Sequence, residues 1–133
     1  MTTTASGKTV YESACAACHG ADLMGVAGTP QHAERRAAVS HRRRGTPATK
    51  NPVLTVESYW PYATTLFDYV RRAMPFTAPG SLASDDVYAV CAYILAEGHI
   101  IDKSTVLDAK SLPRIAMPNR EGFIPDPRPE LFK

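Results

Sequence analysis

Cys15-Ala16-Ala17-Cys18-His19, followed by Gly20, is the stretch on which the reading of this chain turns. Cys-x-x-Cys-His is the attachment signature of a c-type haem. Two thiols one helical turn apart can add across the two vinyl groups of a porphyrin, and the residue that follows them then lies under the iron. His19 supplies an imidazole nitrogen there as the proximal ligand. Two other chemistries use similar spacings. A thioredoxin-like redox pair belongs in a βαβ context, which the sequence does not show. A zinc half-site needs further ligands, and Cys91, His32, His41 and His99 do not stand in paired ligand spacing. The motif therefore sets the expectation of one haem c, covalently held by Cys15 and Cys18 and ligated by His19.

The totals limit what surrounds it. A chain of 133 residues makes one small domain with room for an appended segment. A formal net charge of +2 gives no reason to expect nucleic acid as a partner. Of three cysteines two lie in the motif, so a disulfide framework is not expected. No run of eighteen or more apolar residues occurs, and no membrane span is expected. Met1-Thr2-Thr3-Thr4-Ala5-Ser6 has neither the charged nor the apolar region of a signal peptide. Haem is normally joined to such motifs outside the cytoplasm, so the expected location is the periplasm, with a leader removed or omitted.

Residues 1–6 read as a frayed end, with Ser6 capping a first helix over about 7–17. Val10, Tyr11 and Ala14 share one face of it, and Gly7 lies one turn before Tyr11. Gly7 can admit a closely approaching helix beside the Tyr11 ring, or be a plain N-terminal glycine beside a core tyrosine. Gly20, Gly25, Gly28 and Pro30 make residues 20–31 a loop. A carbonyl near Pro30 is a candidate acceptor for the second ring nitrogen of His19, and Pro30 is equally well a turn former. His41-Arg42-Arg43-Arg44 within residues 31–50 reads as a solvated basic loop before a docking patch. The irregular segment 51–63 holds Tyr59 and Trp60, whose polar tips suit the rim of a large flat cofactor or simple core packing.

A second helix is expected from Thr64 or Thr65 to about Ala73, with Phe67, Val70 and Met74 on one side. Pro75 ends it. A third begins at Ser84, with Asp85 and Asp86 in its first turn and a stripe of Val87, Val90, Cys91, Ile94 and Leu95. Gly98 is expected as its C′ stop. Cys91 lies on the stripe and reads as a small buried hydrophobe. Residues 111–133 hold five of the eleven prolines, yet carry Ile115, Phe123 and Ile124. Such a tail either wraps its own domain or reaches a partner.

Four methionines are available for the iron's sixth position. Met1 is terminal, and Met24 is only five residues past His19. Met74, framed by a helix and Pro75, is favoured, with Met117 in reserve. A histidine–methionine pair raises the reduction potential, which suits an electron carrier. The order of helix, haem motif, loop, aromatic segment, helix, Met74-Pro75 and final helix resembles a class I cytochrome c over roughly residues 6–98, with Gly7, Tyr11 and Tyr93 matching that family's crossing of first and last helices. More narrowly, Tyr59-Trp60-Pro61-Tyr62 through Arg71-Arg72-Ala73-Met74-Pro75-Phe76 is similar to the cytochrome subunits of bacterial sulfite and sulfane dehydrogenases. Leu112-Pro113, Met117-Pro118-Asn119-Arg120 and Gly122-Phe123 extend that similarity. Residues 26–44 depart from it, since relatives carry a Gly- and Pro-rich loop in place of the Arg-rich stretch.

The resemblance implies an all-α class I fold over residues 1–98 and an extended Pro-rich tail over 99–133. It implies Met74 as axial ligand and a molybdenum-cofactor dehydrogenase subunit as electron donor, with another cytochrome or a terminal oxidase as acceptor. The chain then relays electrons and carries no catalytic residue of its own. Two other functions fit the motif: a free carrier for an unrelated dehydrogenase, and a haem sensor or gas binder with a labile sixth site.

Overall fold

The computed structural model describes residues 2–27 and 54–125. Among them lie α1 (Thr4–Ala14), α2 (Ala16–His19), α3 (Ala63–Ala73), α4 (Ser84–Glu97) and a single 3-10 turn, Leu112–Arg114, with no strand. Pro30 and the Arg-rich 35–44 stretch lie outside the described residues.

α1 starts earlier than its sequence suggests. Its cap is Thr3, whose Oγ1 accepts from the Ser6 N–H at 3.2 Å while Ser6 Oγ accepts from the Thr3 N–H at 3.1 Å. Ser6 is thus the third residue of a capping box and not the cap. The extra turn buries Thr4, and the Leu107 N–H reaches the Thr2 carbonyl at 3.4 Å, so residues 2–6 are built into the fold and not frayed.

α4 is the central element. The expected stripe Val87, Val90, Cys91, Ile94 and Leu95 is buried, and so are Ala89, Ala92, Tyr93 and Ala96 on a second face. A helix buried on two faces needs two partners. α1 is one: a Cβ built on Gly7 would overlap the Ala89 carbonyl and lie 2.9 Å from Tyr93 Cβ. The helices therefore cross backbone to backbone, and the Tyr11 and Tyr93 rings close the crossing at 5.2 Å between centroids. α3 is the other, with Phe67 against Tyr88 at 4.4 Å.

The ends of α3 and α4 also differ from expectation, by one to three residues. Tyr62, not Thr64 or Thr65, is the extended residue before α3, because burial of Ala63, Leu66 and Val70 at i, i+3 and i+7 draws the helix start back to Ala63. Ala83 precedes α4, which leaves Ser84 as its first helical residue. At the far end Gly98 keeps φ −77° and the left-handed residue is His99, at φ 57°. The Ile100 N–H returns to the Leu95 carbonyl at 2.9 Å and the His99 N–H to Ala96 at 3.0 Å, the paired bonds of a Schellman stop one residue later than Gly98 predicts.

Beyond α4 the chain wraps its own domain as far as Phe123, after which Ile124 is 93% exposed. Leu107, Leu112 and Met117 are buried in the same core as the helices. Asp108 holds the turn before Leu112–Arg114, taking the N–H groups of Lys110 and Ser111 at 2.8 and 2.7 Å. Those donors, Ser111 first, hold its carboxyl below the usual carboxylate range. Further on, Asn119 Nδ2 donates to the Tyr59 carbonyl at 2.8 Å and the Phe123 ring meets Tyr59 at 5.0 Å.

Candidate haem site

The motif does not continue α1. Cys15 leaves helical geometry at φ −123°, ψ −40°, and a fresh turn, α2, carries Ala16 to His19. The two thiols still share that turn. Cys15 packs against the core while Cys18 is exposed, and both are free. Burial pushes the Cys15 thiol up to about 11.

His19 is fixed through its backbone. Its N–H donates to the Cys15 carbonyl at 2.9 Å, and its carbonyl accepts from the Gly25 N–H at 2.7 Å. Gly20, at φ 80°, then turns the chain back, and a Cβ there would sit 2.9 Å from the Gly25 carbonyl. Residues 20–27 hold no regular element, as their glycines predict. The His19 imidazole is partly buried, and desolvation lowers its pKa, favouring the neutral form that binds a metal. Its Nδ1 is buried with no hydrogen-bond partner among the described residues. The carbonyl near Pro30 expected to meet it lies outside them.

Met74 is the residue at which α3 ends; its N–H closes on the Val70 carbonyl at 3.1 Å and its backbone turns extended, φ −121°, ψ 149°. Its side chain and that of Phe67 are half-buried at the margin of the core. Phe76, two residues on, is 79% exposed, so the loop after Pro75 faces outward. Met117 is only 4% exposed and belongs to the core. Trp60 is half-buried with its ring edge-on to Tyr69 at 5.9 Å. Tyr59 turns its ring to Phe123, so it meets the C-terminal segment.

Sequence reasoning passed over two features here. Glu57 is wholly buried within a turn that Thr55 and Ser58 tie together, Ser58 N–H to Thr55 Oγ1 at 3.1 Å. No periodicity announces a buried carboxylate. The Tyr11 hydroxyl donates to the Gly20 carbonyl at 2.7 Å, a contact between α1 and the loop after the motif that only the folded chain reveals.

These residues fit a covalent haem. The donor set is two free thiols on one turn, a neutral imidazole with a buried second nitrogen that needs an acceptor, and a thioether on a half-buried margin. Comparison with known proteins points the same way. No curated protein matches the chain. Among solved structures it is similar to a chain of the sulfane dehydrogenase SoxCD from Paracoccus pantotrophus, with 33% identity and a TM-score of 0.83. That likeness covers 98% of this chain and 60% of the other. The cytochrome c family pattern matches residues 4–97, the span from the first residue of α1 to the last of α4. With the motif on α2 and the α1–α4 crossing inside that span, the chain belongs to the cytochrome c family of electron-transfer proteins.

Proposed function

We propose that this chain is the electron-accepting monohaem subunit of a molybdenum sulfite or sulfane dehydrogenase and passes its electrons to another cytochrome or a terminal oxidase. One observation carries the reading. The likeness to the sulfane dehydrogenase chain takes in 98% of the residues, so it includes the segment after α4 that lies beyond the family pattern. A resemblance confined to residues 4–97 would favour any small cytochrome equally. The chain spans about 60% of the length of that neighbour, whose remaining part has no counterpart in the match.

In this reading residues 1–98 form the haem-binding unit and residues from 99 onward extend it. Cys15 and Cys18 would hold the cofactor through thioether bonds, and His19 and Met74 would ligate its iron. The cofactor supplies a one-electron iron couple. The chain's own residues do the rest. Burial keeps the His19 imidazole neutral and available, the α2 turn aims it, and the end of α3 presents the Met74 thioether from an extended backbone. Phe67, Trp60 and Leu82, half-buried at the core margin, exclude water from the site. The protein works in the periplasm, where such haems are attached. No described helix is long and apolar enough to cross a membrane.

The test mixes the haem-loaded chain with the molybdenum subunit and follows the reduced haem band after adding sulfite or a sulfane-sulfur compound. Reduction within turnover time is expected with one of them. A haem that dithionite reduces but neither substrate does would overturn the assignment to sulfur oxidation.

A further inference from the structure

The crossing of α1 and α4 requires a flat ring at position 11, but it does not require a hydroxyl. Tyr11 is 2% exposed, and its ring fills the space between Gly7 and Tyr93 as a phenylalanine would. Its oxygen instead leaves the crossing and donates to the Gly20 carbonyl at 2.7 Å. The same residue's backbone carbonyl accepts the Cys15 N–H at 2.9 Å. One residue of α1 thus meets the motif at both ends, with its backbone carbonyl at Cys15 and its hydroxyl just after His19. The loop beyond reinforces the second grip: the Leu23 N–H also reaches the Gly20 carbonyl, at 3.2 Å, and the Gly25 N–H reaches that of His19 at 2.7 Å. Leu23 takes a left-handed backbone, φ 60°, and is 5% exposed, so the turn is held against the intrinsic preference of its residues.

We propose that the Tyr11 hydroxyl is a positioning group for His19, fixing the peptide between His19 and Gly20 and through it the orientation of the imidazole. The inference rests on haem attachment at Cys15–His19. Removing the oxygen leaves the buried Gly20 carbonyl one donor short and frees that peptide to rotate, while the ring still fills the crossing. Because the ring touches Tyr93, the link also runs from α4 to the ligand, so the angle of the imidazole is tied to the helix that organises the core.

The experiment compares the haem-loaded full chain with Tyr11→Phe and with Tyr93→Phe, which removes a hydroxyl from the same crossing without touching the loop. Ferric electron paramagnetic resonance reports the orientation of the axial imidazole, and amide hydrogen exchange at Gly25 reports opening of the turn. Tyr11→Phe is expected to retain covalent haem, shift and broaden its principal g values, and lose Gly25 protection roughly fivefold, the ratio equivalent to a typical net hydrogen bond. Tyr93→Phe is expected to leave both readouts at their parental values. Coincident g values for Tyr11→Phe and the parent would overturn the proposal while leaving the haem reading standing. The same g shift in Tyr93→Phe would also overturn it, by tracing the effect to packing. A parent chain that takes up no covalent haem in a competent host would overturn the haem reading and this inference together.

Discussion

The two walls of the proposed site are built by different means. On the His19 side, α1 and α4 meet backbone to backbone at Gly7 and Ala89, and the motif is bonded at Cys15, His19 and Gly20 within a few residues of itself. On the Met74 side, α3 ends at the residue in question, and the loop beyond it is held by local turns such as Ala78 N–H to Pro75 at 2.9 Å. At the other end of α3 the C-terminal segment is close by: the Leu112–Arg114 turn packs on the helix, and Arg120 lies over the Tyr62 ring at 5.1 Å. The first wall joins local bonds within the motif to a tight crossing of two distant helices, whereas the loop after Met74 has local turns. Residues 76–81 are exposed and bury few apolar contacts, so the methionine side is expected to open first.

The largest difference is expected at the ligands. His19→Ala should abolish the low-spin ferric spectrum. Met74→Ala should keep covalent haem and lose only the far-red methionine–iron band, and Met117→Ala should keep that band. A band that survives Met74→Ala but not Met117→Ala would reverse the assignment of the second wall. Met117→Ala should still loosen the core, costing about 2–5 kcal/mol as a large-to-small change, read from the denaturant midpoint. Gly7→Ala strikes the first wall and should cost about 1–3 kcal/mol through overpacking. A shift in melting temperature too small to measure would show that the helices do not touch there.

Acidity offers a finer probe of the first wall. Burial, and secondarily the neighbouring Cys15, push the Cys91 thiol from 9.0 up to about 12. The folded state therefore favours the protonated thiol. Its contribution is fully present below pH 9 and is lost as pH rises through about 12, at up to about 1.4 kcal/mol per pH unit. Tyr11 and Tyr93, both raised chiefly by burial, add to the loss above their ordinary value of 10.0. Denaturant titrations of the parent and Cys91→Ala across that range should show a shallower decline in the variant; parallel curves would mean that Cys91 titrates normally. The smallest change is a gain. His99→Gly relieves a left-handed residue at the end of α4 and should stabilise by about 1 kcal/mol.

Much of the first wall was legible in the sequence because its demands are local. Thioether chemistry dictates Cys15, Cys18 and His19, and a helical stripe dictates α4. The choice between the two roles open to Gly7 was not local, since only the position of Ala89 decides it. Caps were misplaced by one to three residues where several competent residues stand together: Thr3 and Ser6 can both cap α1, and the burial of Thr4 selects the earlier. The second wall was legible mainly by resemblance. Leu112, Met117 and Asn119 follow no helical or strand period, so nothing short of the fold says which of them turns inward. The Tyr11 hydroxyl was unreadable for the same reason, because its acceptor is a backbone carbonyl with no side-chain signature.

Cys91 has a consequence for selectivity among sulfurs. The chain carries three cysteines, and a porphyrin with two vinyl groups needs two. Any wrong pair, or a disulfide drawing in the third, would divert the product. In the folded chain Cys91 is 0% exposed, so it is shielded from both electrophiles and oxidants. Cys18 is open to solvent and Cys15 half so. α4 thus serves as a protecting group in the synthetic chemist's sense: the sulfurs the gene encodes outnumber by one those the reaction can find.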